Sequence, residues 1–340
     1  MTTVKAWAAM KAGAALEPFE YELGPLGIEE VEVQVDNCGL CHTDLSFIAN
    51  EPGFVTFPLV PGHEITGRIT QVGAVAAAKG LAVGQTVGVG WNKESCQYCD
   101  PCISGAPQLC TRLKGTIIGH HGGFATHVRA HWLWTVPVPD GLSAADAGPL
   151  FCAGITVFSP LMEFGLRPVD HVGVFGIGGL GHLALQFCRA WGSSVTAFSS
   201  TKSKYEEIIG LGATDVVDSR NPDAWAHLKG KLDLIIVTVA VPLDWHRVLE
   251  LLSPRGRLHF VGIISEPIPV QVMDLLIPQA SVSSSPGGSR SSMDAMLRFA
   301  ARHHIAPRVE HFPMSRVNDA IAHMEAGKAN YRVVLDADFI

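Results

Sequence analysis

Cys41, His63 and Cys152 are three residues whose side chains could share one metal ion. Cys41 opens the run Cys41-His42-Thr43-Asp44, His63 stands in Pro61-Gly62-His63-Glu64, and Cys152 follows Leu150-Phe151. Two thiolates and one imidazole leave a fourth tetrahedral position open, which is the ligand pattern of a catalytic zinc site. The neighbouring residues add further chemistry. Thr43 has a hydroxyl that can accept a proton and pass another onward. His42 could meet a cofactor phosphate. Asp44 could orient the ligating imidazole through its other ring nitrogen, or cap a helix that starts here; one role does not exclude the other. Glu64 could coordinate the metal or stand behind it as a charge. A carboxylate left unpaired beside a buried site is costly, so Glu64 needs a partner.

A second group is more compact. Cys96, Cys99, Cys102 and Cys110 give the spacing C-x2-C-x2-C-x7-C. Four thiolates on one loop make a closed structural zinc site. An iron–sulfur loop opens similarly, but there the fourth cysteine comes after three residues and precedes a proline. Here the gap is seven residues and Thr111 follows, which favours zinc. Clustered cysteines of this kind suit metal binding in a reducing compartment better than disulfides. Cys38 and Cys188 lie in apolar surroundings and read as core.

Composition sets the wider bounds. A chain of 340 residues has room for about two domains. Its 47% hydrophobic content and 35 glycines fit a glycine-rich α/β enzyme. The formal net charge of −7, without a long basic run, speaks against nucleic acid as a partner. No apolar stretch approaches a membrane span and no leader pattern opens the chain, so a cytoplasmic location is expected.

The elements that must position these groups differ between two halves. Residues 1–150 read as short strands and turns: Val31 to Val35 alternates apolar and polar, and Ile65 to Val72 and Val83 to Val89 are β-rich. This is the pattern of a largely antiparallel, barrel-like domain. From residue 151 the pattern becomes α/β. The strand His171 to Phe175 runs into Gly176-Ile177-Gly178-Gly179-Leu180-Gly181, followed by Leu183, Ala184, Phe187, Cys188 and Trp191 at helical spacing. Strand, G-x-G-x-x-G and helix together form a dinucleotide cradle, with the pyrophosphate at the helix N-terminus.

The next strand, Val195 to Phe198, leads to Ser199 and Ser200 rather than to an acid, with Lys204 close behind. Two hydroxyls and a lysine can hold a 2′-phosphate that an acid would repel, so NADP(H) is expected over NAD(H). Thr238, Val239, Val261 and Ser283 fall at the ends of later strands, where such sheets bind ligands. A helix over residues 290–303 and a closing strand from Tyr331 to Leu335 return to the first domain. The expected division is therefore 1–150, 151–288 and 289–340.

These motifs together resemble the zinc-dependent medium-chain alcohol dehydrogenases. The likeness is to the cinnamyl-alcohol-dehydrogenase branch and, within it, the bacterial broad-specificity NADPH-dependent aldehyde reductases. The residues that carry it are Gly39 to Asp44, Pro61 to Glu64, the four-cysteine loop, Leu150 to Thr156, the glycine loop, Ser199-Ser200 and Tyr331 to Val334. The resemblance implies a GroES-like β-rich catalytic domain plus a doubly wound Rossmann domain, two Zn2+ per subunit, and NADP(H). It implies Cys41, His63 and Cys152 as ligands, Glu64 as an occasional fourth, Thr43 as the hydroxyl relay, and Thr156 beside the cofactor. It also implies a homodimer paired through Rossmann edge strands.

Many relatives carry a relay histidine where this chain has Ser46, so the outer end of the proton path could pass to the cofactor ribose and water instead. The chemistry expected is hydride transfer from NADPH to an aldehyde carbonyl polarised by zinc, with Thr43 delivering the proton. Phe47, Trp91 and Phe151 are candidate pocket walls. The alternatives are a ketone- or polyol-specific dehydrogenase of the same fold and a non-catalytic NADPH-binding redox sensor. A sensor would not need the complete Cys41, His63 and Cys152 set.

Overall fold

The structure, a computed structural model, describes residues 2–264 and 266–339. The chain forms two compact units, one of residues Met1–Cys152 and Ser289–Ile340, the other of Ala153–Gly288.

The long strand Glu30–Leu40 is the spine of the first unit. Along one edge its first half pairs with His127–His131 and its second half with Arg332–Asp336, both antiparallel. On the other edge it pairs with Ile65–Val72, which continues through Thr86–Val89 to Thr135–Pro137. Val309–Pro313 adds a parallel strand outside Arg332–Asp336.

Val31, Val33 and Val35 are buried and Gln34 is exposed, as the alternation predicts, but Glu32 is buried as well. The cause lies directly across the register. Glu32 faces Arg129, whose guanidinium grips its carboxylate at 2.7 and 2.9 Å. The charge is covered because it is paired. The expected strand from Val83 starts only at Thr86, since Gly84 turns the chain with φ +85°. The helix Arg290–His303 begins at Ser289, whose hydroxyl accepts the Ser292 amide at 3.1 Å. It buries Met293, Met296, Leu297 and Ala300 on one face.

The second unit is a six-stranded, fully parallel sheet. Its order is Asp215–Asp218, Ser194–Ser199, His171–Phe175, Leu232–Val237, Leu252–Phe260 and Ser281–Ser284. The order reverses direction at His171–Phe175, so the loop leaving that strand sits at the topological switch point, where such sheets bind ligands. Phe175 and Phe198 stack at 3.9 Å on neighbouring strands, and Trp225 closes edge-on against both at 5.5 Å. Leu183, Ala184, Phe187 and Cys188 form the buried stripe of the helix Gly181–Trp191.

Candidate active site

Cys41 is the N-cap of the short helix His42–Ile48. Its backbone amide donates to Asp44 Oδ2 at 3.0 Å, the acidic half of a capping arrangement. The other Asp44 oxygen accepts the Gly62 amide at 2.9 Å and faces Nδ1 of His63 at 2.9 Å. Asp44 thus orients the imidazole and caps the helix at once. With Nδ1–H committed to Asp44, the Nε2 of His63 is the nitrogen left to bind, and it is buried without a protein partner.

Glu64 follows on the strand side. Gly39 donates its amide to the Glu64 carbonyl at 2.9 Å, and a Cβ on Gly39 would strike the Glu64 carboxylate at 2.0 Å. Only glycine leaves room for the carboxylate there. The strand Arg332–Asp336 runs antiparallel on the far side, with Val334 opposite Gly39 and Val333 opposite Leu40. That register brings Arg332, 268 residues away in sequence, into hydrogen-bonded ion-pair contact with Glu64 Oε1. The second carboxylate oxygen, Oε2, is buried and unpartnered.

Arg332 is the partner Glu64 required, and its functional place was not read from the sequence. The signal was there: a lone cation inside Tyr331-Arg332-Val333-Val334-Leu335 has to be paired if that strand is buried.

Cys152 comes in on the turn after Gly148–Phe151. Phe151, expected as a pocket wall, is 1% exposed, with its ring in the notch left by Gly88, so it anchors this turn instead. The structure gathers Cys41, His63, Glu64 and Cys152 so that one donor atom from each lies within 4.8 Å of the others. The Cys41 thiol is held well below the ordinary thiol range. The first cause is a hydrogen bond with the Cys152 thiol; His63 and the Arg332 charge act in the same direction. A thiolate is the form that binds metal. The set fits zinc on its donor chemistry and on the orphaned Nε2, which has nothing in the protein to bind.

Thr43 Oγ1 lies 3.7 Å from Cys41 Sγ, beside the cluster. Trp91 stands edge-on to the His63 ring at 5.3 Å, Phe47 packs on Trp91 at 5.6 Å, and Phe54 on Phe47 at 6.1 Å. Phe54 extends this aromatic wall and is 60% exposed, a position that no motif in the sequence marks. His42 is exposed and Ser46 half-buried.

The four cysteines of the other motif also come together, with one sulfur from each inside the same 4.8 Å limit. The Cys96 and Arg112 amides donate to Cys110 Sγ at 3.4 and 3.3 Å, as amides do around a coordinated thiolate. All eight cysteines are free, and Cys38 and Cys188 are buried as expected of core residues.

In the second unit, Gly176 and Gly181 carry the close approaches of the glycine loop. A Cβ on Gly176 would meet Val239 at 2.1 Å, and one on Gly181 would meet the Gly176 carbonyl at 1.9 Å. Gly178, between them, faces open space, as a cradle for a pyrophosphate must. Ile177, Gly179 and Leu180 are half-buried around it. The Thr238 hydroxyl ties the loop down through the Gly176 carbonyl at 2.7 Å, and the Val261 amide bonds the Val237 carbonyl at 3.0 Å.

Ser199 is buried and its hydroxyl accepts the Thr201 amide at 3.3 Å, while Ser200 and Lys204 are exposed. The acid in register with Ser199 is Asp218, which accepts the Arg220 amide at 3.0 Å. Ser283 differs from expectation in its bonding: its hydroxyl is engaged by the buried His259 at 2.9 Å. Thr156 is half-buried on the helix Ala153–Glu163.

Comparison with known proteins agrees with this geometry. Residues 27–140 match the alcohol dehydrogenase GroES-like domain and residues 179–302 the zinc-binding dehydrogenase domain. The chain is 50% identical over 332 residues to the aldehyde reductase AdhA of Synechocystis sp., covering 98% of each sequence. A solved cinnamyl alcohol dehydrogenase from Sorghum bicolor matches with a TM-score of 0.92 at 35% identity over 98% of each chain. A structure of CAD from Helicobacter pylori complexed with NADP(H) matches with a TM-score of 0.90 at 28% identity, again over 98% of each. Two metal-type clusters, a β-rich unit and a parallel-sheet unit with a glycine loop, in a chain half identical to such a relative, place this protein in the zinc-dependent medium-chain alcohol dehydrogenase family.

Proposed function

We propose that this enzyme reduces aldehydes to primary alcohols reversibly, with NADPH as hydride donor and a broad aliphatic and aromatic range. The observation that carries the reading is the buried, unpartnered Nε2 of His63 among Cys41, Cys152 and Glu64. The relatives named for aldehyde reduction and for NADP(H) binding support it.

Cys41, His63 and Cys152 would hold the catalytic ion, with Glu64 as an occasional fourth donor, and Cys96, Cys99, Cys102 and Cys110 a structural one. When bound, zinc supplies Lewis acidity at a carbonyl oxygen and NADPH supplies the hydride. Asp44 keeps the His63 ring in the tautomer that presents Nε2. Burial pushes the Glu64 carboxyl up, and the Arg332 charge paired with it acts in the opposite direction, favouring the carboxylate. Thr43 Oγ1 would give a proton to the product oxygen and recover one through the cofactor ribose and water, since Ser46 stands where relatives have a relay histidine. Trp91 and Phe47 exclude water from the reacting carbon.

The glycine loop would take the pyrophosphate, with Ser199, Ser200 and Lys204 at the 2′-phosphate. Thr156, Thr238, Val239, Val261 and the backbone of Ser283 would complete the cofactor surface of the second unit. The subunit would pair with a second copy along the sheet edge Ser281–Ser284. The helix that precedes that strand in the chain, Val272–Leu276, exposes Val272 (74%) and Leu276 (61%), apolar surface that pairing would cover. Among the described residues no helix is long and apolar enough to cross a membrane. The eight free thiols suit the cytoplasm.

The test is NADPH oxidation against aliphatic and aromatic aldehydes, ketones and polyols, with NADH run alongside and zinc counted per chain. Aldehyde-dependent NADPH turnover that is lost in His63→Ala, which retains one zinc, is the expected result. Turnover surviving in that variant refutes the ligand assignment. Preference for ketones or polyols refutes the substrate class.

A further inference from the structure

His259 is a buried polar side chain that the mechanism above does not use. It is 0% exposed and sits on the strand Leu252–Phe260, between the apolar Leu258 and Phe260. Strands covered on both faces are ordinarily apolar throughout, and a polar group there is costly unless its hydrogen bonds are made. Both are made, and both go to one neighbouring segment. Nδ1 lies 2.9 Å from the Ser283 hydroxyl and Nε2 3.1 Å from the Ser285 hydroxyl.

Register explains the pairing. His259 stands directly opposite Ser283 on the parallel edge strand Ser281–Ser284, and Ser285, two residues on, falls on the same side of the extended chain. A neutral imidazole offers one N–H and one lone pair, and a hydroxyl can give or take, so both bonds form without a charge in either tautomer. Burial pushes His259 down to about 4, and the Arg257 charge acts the same way, so the ring stays neutral. Phe164 closes edge-on over it at 5.0 Å. Ser284, between the two serines, donates its own hydroxyl to the Phe260 carbonyl at 3.0 Å. Three successive side chains at the end of the edge strand are thus tied to the strand beside it.

The place of this clamp in the sheet gives it a use. The glycine loop leaves the strand His171–Phe175, and Ser199 and Ser200 lie at the end of the strand on one side of it. With the pyrophosphate at that loop and the 2′-phosphate at those serines, the rest of the dinucleotide has to run the other way. It passes the carboxyl ends of Leu232–Val237, Leu252–Phe260 and Ser281–Ser284, of which Ser283 to Ser285 form the last. Beyond them Gly287 takes φ +92°, and a Cβ on Gly288 would meet Ile155 at 2.8 Å, so the segment is seated on the helix Ala153–Glu163 at its far end.

We infer that His259 is a positioning residue for the nicotinamide half of the cofactor: through the Ser283 and Ser285 hydroxyls it fixes the backbone on which that ring would rest. The inference rests on the cofactor placement proposed above. Within the subunit an edge strand of four residues is held by one ladder only, and the end of such a strand frays readily. Two side-chain bonds at that end hold the main chain still, so the ring need not order it on binding. Loss of the clamp therefore weakens the grip on the nicotinamide half and leaves the adenosine half alone.

The test compares two probes on the zinc-loaded full-length protein: NADPH, and adenosine 2′,5′-bisphosphate, which carries the 2′-phosphate half without a nicotinamide. His259→Leu fills the site but makes neither bond. Its Kd for NADPH, read by calorimetry, is expected to rise about five- to tenfold, with that for the bisphosphate unchanged. His259→Asn, whose shorter amide can still bond Ser283, should recover part of the loss. Should His259→Leu not fold, Ser283→Ala together with Ser285→Ala removes the same two bonds from the other side and is expected to give the same pattern. Equal weakening of both probes, or undiminished NADPH binding, overturns the proposal. Wild-type protein that binds neither probe refutes the cofactor placement and this inference together. Wild-type protein that reduces no aldehyde refutes the proposed substrate class alone, since the two affinities decide on His259 by themselves.

Discussion

Asp44 stands 2.9 Å from Nδ1 of His63 while its second oxygen holds the Cys41 amide at 3.0 Å. One carboxylate therefore fixes the ring of one candidate ligand and the backbone of another, although 19 residues separate Asp44 from His63. The short helix His42–Ile48 is the device that makes this possible, since its third residue must reach back to its cap.

Asp44→Asn preserves size but removes one acceptor and the negative charge. Zinc affinity at the Cys41, His63 and Cys152 site is expected to fall by about ten- to a hundredfold. Competition with a chromogenic chelator measures this, and the ion of the four-cysteine loop serves as an internal reference. Both ions held at wild-type affinity would show that Asp44 merely caps the helix.

Arg332→Met removes the partner of a fully buried carboxylate. The expected cost is about 3–5 kcal/mol of stability, read from denaturant midpoints, because Glu64 is left charged or forced to take up a proton. Glu64→Gln together with Arg332→Met should recover most of that loss. A double variant as unstable as the sum of the two single ones would mean that the residues are not coupled.

Much of this arrangement was legible in the chain. Cysteine and histidine spacing pointed to both metal clusters, and the strand, glycine loop and helix placed the cofactor cradle, because these are local patterns with strict backbone demands. What stayed hidden was set by sheet register. Arg332 reaches Glu64 only because Arg332–Asp336 pairs with the second half of Glu30–Leu40. Glu32 is buried only because Arg129 stands opposite. Phe151 passed for a pocket wall because nothing in its own segment announces the notch at Gly88.

Cys110→Ser tests the second cluster. Its sulfur accepts two backbone amides besides facing Cys96 at 3.5 Å and Cys99 at 3.8 Å, so the loop closes on it. The variant should lose one zinc per chain and melt at a lower temperature, since metal binding here stabilises the folded loop. Zinc content and calorimetry measured on one sample decide it. A variant that keeps both ions and its melting temperature would remove the structural role.

Ser200→Asp tests the choice of cofactor. Ser200 is exposed at the end of Ser194–Ser199, and the acid in register there, Asp218, already accepts the Arg220 amide. A new carboxylate at position 200 would face a 2′-phosphate without a compensating partner. At such a wet position, repulsion between charges about 4 Å apart is worth roughly 1 kcal/mol or somewhat more. The KM for NADPH should therefore rise by roughly five- to tenfold, while that for NADH, whose 2′-hydroxyl can donate to an acid, should stay level or fall. Equal changes for the two cofactors would place the 2′-phosphate away from Ser200 and would leave Lys204 as the residue to test next.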